Sequence, residues 1–317
     1  MSEAEFEKIN LPKNQSPNNK ALFALFGLIF VFFVMLLAFA AYTMKSFTEL
    51  AGEEKELTHQ GRIAVIEIEG VIMDSKKTIE LLLFAEESKD FDAIILRINS
   101  PGGAVGPTQE IYEEMQRIDK IKPIYASFGA IAASGGYYLG AGARKIWASP
   151  GTLTGSIGVI MDFMDLSKLY EFAKVSPQTV KAGKYKDAGN PSRGLTDEEK
   201  ELMDKLIAGV HEQFKNDILK RRKNLLKADI SEVAQGQIFS GEEAFNLGLV
   251  DEMGSLWTAG RSIHKSLKLK GDFGLKFIKK KKTMGFIEML GNLEESISHL
   301  NLKSLLHADK SPVLMFR

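Results

Sequence analysis

Residues 123–143 read PIYASFGAIAASGGYYLGAGA. The stretch up to Ala133 is uncharged, apolar or small, and opens on β-formers, which predicts a buried strand ending at Ser134. Two glycines follow, and GGYYLGAGA (135–143) predicts a short buried helix. A hydroxyl wedged between two alanines and two glycines has two readings. It is a tight turn without chemistry, or a nucleophile held at a strand end.

The sequence on either side repeats the pattern. RIAVIEIEGVIM (62–73), AIILRINSPGG (93–103) and KIWASP (145–150) predict strands, while TIELLLFAEES (78–88) and PTQEIYEEMQRI (107–118) predict helices. In the second helix Ile111, Met115 and Ile118 share one face. Strands alternating with helices predict an α/β domain on a parallel sheet. Such sheets place their sites at the carboxyl ends of the strands. Gly102 and Gly103 end one strand; Gly135 and Gly136 follow the next. One glycine pair is ordinary loop punctuation. Two at corresponding strand ends let backbone N–H groups converge on one oxygen, as an oxyanion hole requires. Ser134 precedes the second turn, a strand–Ser–Gly–Gly–helix layout with the logic of a nucleophile elbow but without its G-x-S-x-G pattern.

A serine nucleophile needs a base. The chain has five histidines, His59, His211, His264, His299 and His307, none of them between residues 60 and 210. His211 falls in EEKELMDKLIAGVHEQF (198–214), which predicts a solvated helix face. The alternative base is a lysine, which acts only when neutral and so needs desolvation or neighbouring donors. Spacing alone does not choose among the lysines.

Composition narrows the classes. The 317 residues balance 41 basic against 41 acidic groups, so no global field draws nucleic acid, and none is expected as a partner. The absence of cysteine removes disulfides, thiolate zinc sites and a cysteine nucleophile. No metal or cofactor is expected.

The 24 uncharged residues 21–44, between Lys20 and Lys45, predict a transmembrane helix. At about 1.5 Å per residue it spans roughly 36 Å, enough for a hydrocarbon core of about 30 Å with some tilt. AFA (38–40) resembles a signal-peptide cleavage site, but the apolar run is long for one, and a retained anchor is expected. Lys8, Lys13 and Lys20 on one side balance Lys45, Lys55 and Arg62 on the other, so charge gives no orientation. Residues 1–20 predict a disordered tail, 45–61 a linker, and 62–270 a globular domain. In 271–317, KFIKKKK (276–282) is a basic segment, 284–306 carries an amphipathic helical spacing, and SPVLMFR (311–317) is an extended apolar tail.

INSPGGAV, ASFGAIAASGGYYLGAGA, TLTGSIGVI, KAGKYKDAGNPSR and GQIFSGEEAFNLGLVDEMGS occur in this order. Together they resemble the signal peptide peptidase A family in its short single-repeat form, over roughly residues 62–260 plus the anchor. The resemblance implies a ClpP/crotonase-like fold of repeated ββα units behind one transmembrane helix. It implies a serine endopeptidase with a Ser-Lys dyad that degrades cleaved signal peptides and other unfolded apolar peptides. Carried over, Ser134 is the nucleophile and Lys186 the general base, with Lys184 as the nearby rival. Ser156 supports the lysine, and Gly103 and Gly135 supply the oxyanion-hole N–H groups. The family also implies the lipid bilayer as a partner and a homo-oligomeric ring whose protomers complete one another's sites. It further implies residence in the cell (inner) membrane with the domain outside the cytoplasm. Two other functions share parts of this pattern: a crotonase-type acyl-CoA enzyme, and a non-catalytic membrane scaffold.

Overall fold

The computed structural model describes residues 19–52, 61–279 and 315–316. The chain divides into two units, residues 1–57 and 58–317. The first contains α1 (Asn19–Gly52), which continues through residues 45–52 of the expected linker. Its segment Phe23–Thr43 is apolar, has every side chain exposed, and is long enough to cross a membrane. Of the expected tail, 1–20, residues 19 and 20 already belong to α1, and 1–18 lie outside the described residues.

Along the second unit run β1 (Ile63–Glu69), α2 (Lys76–Glu87), β2 (Ala93–Ser100), β3 (Gly103–Ala104), α3 (Val105–Ile118), β4 (Ile124–Ala133), α4 (Gly135–Ala141), β5 (Ile146–Ala148) and β6 (Leu153–Gly155). There follow α5 (Ser167–Phe172), α6 (Asp197–Arg222), α7 (Ile230–Val233), β7 (Ile238–Ser240), α8 (Gly241–Asn246), β8 (Glu252–Met253), α9 (Leu256–Ser266), β9 (Leu275–Phe277) and β10 (Met315–Phe316).

The main sheet runs β7-β6-β4-β2-β1-β9, with β5 beside β4 and β8 beside β5. Its pairs are parallel except β6 with β7. This corrects the expectation of a parallel sheet: the domain is α/β with a mixed sheet. β4 is long enough to serve two neighbours, β5 at Ala126–Ser127 and β6 at Ile131–Ala133. The basic run expected from 276 begins instead inside a strand, since β9 pairs parallel with β1. The amphipathic spacing at 284–306 lies outside the described residues.

Alternation along β1 sorts its side chains onto two cores. Ala64, Ile66 and Ile68 face one cluster, with Leu82 of α2, Met115 of α3, Tyr137 of α4 and Phe214 of α6. Ile63 and Val65 face the other, with Trp147 and with Leu256 and Ile263 of α9. Strands apolar on both faces are what a helix-covered sheet demands.

The last turn of α6 carries a buried charge. Arg222, 1% exposed, donates to Asp251 at 2.9 and 3.0 Å and to the Gly248 carbonyl at 3.1 and 3.3 Å. Removing the cation leaves the Asp251 carboxylate desolvated without its counter-ion, holding only the Ile146 N–H at 2.7 Å, a loss of about 3–5 kcal/mol. Arg222→Ala should therefore lower the thermal midpoint of the detergent-solubilised full chain by roughly 6 °C or more, at roughly 2–4 °C per kcal/mol for a domain of this size. An unchanged midpoint would show that the pair adds nothing.

Candidate active site

Ser134 sits where β4 ends and α4 begins, with φ 53° and ψ −114°. L-residues rarely adopt this backbone, which costs of order 1–3 kcal/mol. It is held from both sides: its N–H donates to the Gly155 carbonyl at 2.8 Å, and its carbonyl accepts from Tyr138 N–H at 2.8 Å. The residue is fully buried, and its Oγ has no hydrogen-bond partner among the described residues. A buried hydroxyl left unpaired costs about 1–3 kcal/mol. Two costs at one residue point to function rather than packing.

Ser156 lies beside it. The register pairs Ala133 of β4 with Gly155 of β6, so the two serines leave adjacent parallel strands together. Ser156 also has positive φ, 50°, and is nearly buried, and its N–H donates to the Gln237 carbonyl at 2.6 Å.

The glycine turns meet. A Cβ on Gly135 would lie 3.2 Å from the Gly103 nitrogen and 3.1 Å from Thr108 Oγ1. On the other side of Gly103, Ile72 N–H donates to the Gly102 carbonyl at 2.8 Å, and Ala104 N–H donates to the Ile72 carbonyl at 2.7 Å. That contact leaves no room for a side chain: a Cβ on Gly103 would sit 2.1 Å from Ile72 O. Ser100 Oγ accepts from Gly102 N–H at 3.1 Å, and Thr108 Oγ1 donates to the Ala104 carbonyl at 2.8 Å. These contacts hold the Pro-Gly-Gly turn against the serine turn. The sequence reading missed Ile72, Ser100 and Thr108, because each acts through a main-chain contact that no motif spells. On its open side β3 carries β10 antiparallel, with Met315 opposite Ala104 and Phe316 opposite Gly103.

Of the expected site residues, the structure gathers Ser134, Ser156, Gly103 and Gly135. It does not join Lys186 to them. Lys186 is exposed on the irregular segment between α5 and α6, and no hydrogen bond links it to Ser134. Its rival Lys184 is ion-paired with Glu198 at 2.5 Å and lies 5.4 Å from the Tyr185 ring. The Glu198 carboxylate raises the Lys184 pKa, which favours the charged form and opposes service as a base. His211 departs from expectation: it is half-buried on α6, and its Nε2 is covered and unpartnered. His264, on α9, is packed edge-on to Phe273. The other three histidines lie outside the described residues. Among the described residues no group of three or more His, Asp or Glu side chains could hold a metal ion.

A mixed sheet with a strained serine at a strand end, facing paired glycine turns, defines a Clp protease-like molecule. The Clp protease family model matches residues 55–152, and that of peptidase family S49 matches residues 116–270. A Synechocystis sp. protein named as a protease is 40% identical over 195 residues, covering 61% of this chain and 70% of that protein. An Enterococcus faecium protein named for signal peptide peptidase SppA is 37% identical over 209 residues, 65% of this chain and 60% of that one. The chloroplastic serine protease SPPA of Arabidopsis thaliana is 36% identical over 188 residues, 59% of this chain and 28% of that one. The chain belongs to peptidase family S49, a family of proteases, and peptides are its substrate class.

The turn geometry orders three substitutions. Gly103→Ala must push Ile72 away and should lower covalent labelling of Ser134 by a fluorophosphonate about 10²–10³-fold, the effect of losing one oxyanion donor. Gly135→Ala meets atoms only at 3.1–3.3 Å and should cost less. Gly106→Ala, with open space at its Cβ, should label at the normal rate. Equal labelling of all three would show that the turns do not form the hole.

Proposed function

We propose that this chain is a membrane-anchored serine endopeptidase of the signal peptide peptidase A type. The observation that carries this reading is the Ser134 hydroxyl, buried and unpaired on a strained turn against the Gly103 and Gly135 backbone. In the mechanism, neutral Lys186 takes the proton of Ser134 Oγ, and Oγ attacks a peptide carbonyl. The Gly103 and Gly135 N–H groups stabilise the oxyanion, each worth roughly 3 kcal/mol. Lys186 then protonates the leaving amine, and water releases the acyl group. Ser156, next in register to the nucleophile, supports the lysine.

The unpaired serine and the exposed lysine are both accounted for if Lys186 of a neighbouring copy completes each site. Exposed Leu169, Phe172 and Val175, around α5, supply an apolar surface for such a neighbour. Substrates are extended, unfolded apolar peptides, including cleaved signal peptides, added as a strand to the edge of β3. That edge is geometrically suited to an extended segment, since Met315–Phe316 already lie on it. α1 anchors the enzyme in the cell membrane, with residues 1–20 cytoplasmic and the domain outside. The paired glycine turns would also serve acyl-CoA chemistry, but that chemistry gives the unpaired serine no task.

Ser134→Ala should abolish peptide turnover and leave the fold intact. Lys186→Ala and Lys186→Arg should fail alike, because arginine keeps the charge but does not deprotonate. The limb of wild-type kcat/KM governed by the base should rise with pH, following its neutral form. Co-assembled Ser134→Ala and Lys186→Ala chains should regain about a quarter of the activity, as random mixing in a ring with shared sites requires. Activity in Lys186→Arg would remove this lysine as the base. No recovery on mixing would put both groups in one protomer.

A further inference from the structure

We propose that Arg193 is a positioning residue that fixes Lys186, by clamping Asp187 onto the buried Glu199 at the head of α6. The inference rests on Lys186 being the base. Residues 181–195 contain neither helix nor strand. Its backbone bonds are local turns, Lys186 N–H to the Gly183 carbonyl at 3.2 Å and Asn190 N–H to the Asp187 carbonyl at 3.0 Å among them, so side-chain contacts tie these turns to α6, and a lysine on a flexible four-carbon stem is only as well placed as its backbone.

The contacts converge on one guanidinium. Arg193 reaches the Asp187 carboxylate at 2.9 and 3.2 Å and the Asp187 carbonyl at 3.3 Å. It thus holds both the side chain and the main chain of the residue after Lys186. Its other edge donates to both oxygens of Glu199, at 2.6 and 2.8 Å. Glu199 is the fixed end. It is 3% exposed, accepts from Thr196 N–H at 2.9 Å, and belongs to a capping box in which Thr196 accepts from Glu199 N–H at 3.2 Å. α6 is in turn anchored in the core by Phe214 and Ile218. Lys181 adds a second cation to Asp187 and donates to the Lys184 carbonyl at 3.0 Å, bracing the segment on its other side.

The clamp is not itself a titrating device. Hydrogen bonds from Arg193 hold the Glu199 carboxyl at about 2, and those from Arg193 and Lys181 hold Asp187 well below the usual carboxylate range. The same carboxylates raise Arg193 further. Of the groups around the segment, Lys184 is paired with Glu198 and is likewise raised. The capping box supplies an independent check, because the Thr196–Glu199 bonds survive loss of Arg193. A merely structural Arg193 would show itself in thermal stability and leave the base limb alone.

The test compares Arg193→Gln, Arg193→Lys, Asp187→Asn and the Arg193→Gln/Asp187→Asn double variant in the detergent-solubilised full chain. It reads kcat, KM, the pH profile of kcat/KM on an apolar peptide, and the thermal midpoint. Misplacement of a catalytic group by about 1 Å costs up to about 10²-fold. We expect kcat to fall at least about 10-fold, KM to stay within about 2-fold, the base limb to move, and the midpoint to hold. Arg193→Lys should recover little, since an ammonium lacks the planar five-donor fork that pairs with both Glu199 oxygens while reaching Asp187. The double variant should be no worse than the poorer single, as for partners in one contact. Wild-type kcat with an unmoved limb in Arg193→Gln, or losses that add in the double variant, would overturn the proposal. If Arg193→Gln does not fold, Asp187→Asn, on the surface segment, decides by the same readings. Lys186→Arg separates the two levels. An active Lys186→Arg overturns the base assignment and this inference with it. An inactive one beside clamp variants of wild-type rate overturns this inference alone.

Discussion

The backbone of Ser134 is the constraint on which the rest of the site depends. A non-glycine residue at φ 53° and ψ −114° persists only where its surroundings over-determine it. Here they do. β6 holds its N–H and α4 its carbonyl, and all seven residues of α4 are buried. The helix is seated too closely to shift: a Cβ on Gly140 would lie 2.3 Å from the Phe128 ring, and one on Gly136 2.7 Å from the Ser100 carbonyl. Tyr137 Oη donates to the Leu249 carbonyl at 3.1 Å, and Tyr138 Oη donates to Asp217 on α6. Helix α4 is thus tied to α6 and to the segment before β8. The strain at one serine is carried by contacts from residues 100 to 249.

The proposed nucleophile and the proposed base are held by different physics. Ser134, Gly103 and Gly135 are fixed by the strand ladder and by glycine packing that leaves no free volume. Lys186 stands on an irregular segment fixed by ion pairs, whose partners Arg193 and Asp187 are within reach of solvent. Hydrophobic burial sets the first position to within a side-chain contact; the second answers to charge and to the direction of a few hydrogen bonds.

What was legible in the sequence follows the same division. Alternating strands and helices, the buried strand leading to Ser134 and the two glycine turns are local patterns, and each stands where its period places it. The antiparallel β7, and β9 joining β1 from the far end of the domain, are pairings between distant segments that a local period does not encode. Ile72 reads as part of the strand predicted over 62–73, yet its carbonyl closes the space above Gly103. The Thr196–Glu199 capping box has a sequence signature, T-x-x-E, that marks the head of α6. The reach of Arg193 from that helix to Asp187 has none, because it depends on how an irregular segment folds back.

The short strand at the chain end has a consequence for occupancy. A sheet edge pairs with one segment at a time. While Met315–Phe316 lie on Ala104 and Gly103, another extended peptide cannot take the same backbone groups. The competitor is covalently attached, so diluting the protein does not remove it. Any peptide that uses this edge binds with its intrinsic affinity scaled by the fraction of time the edge stands open. For a peptide bound in that way, the Met315–Phe316 strand sets a threshold of affinity.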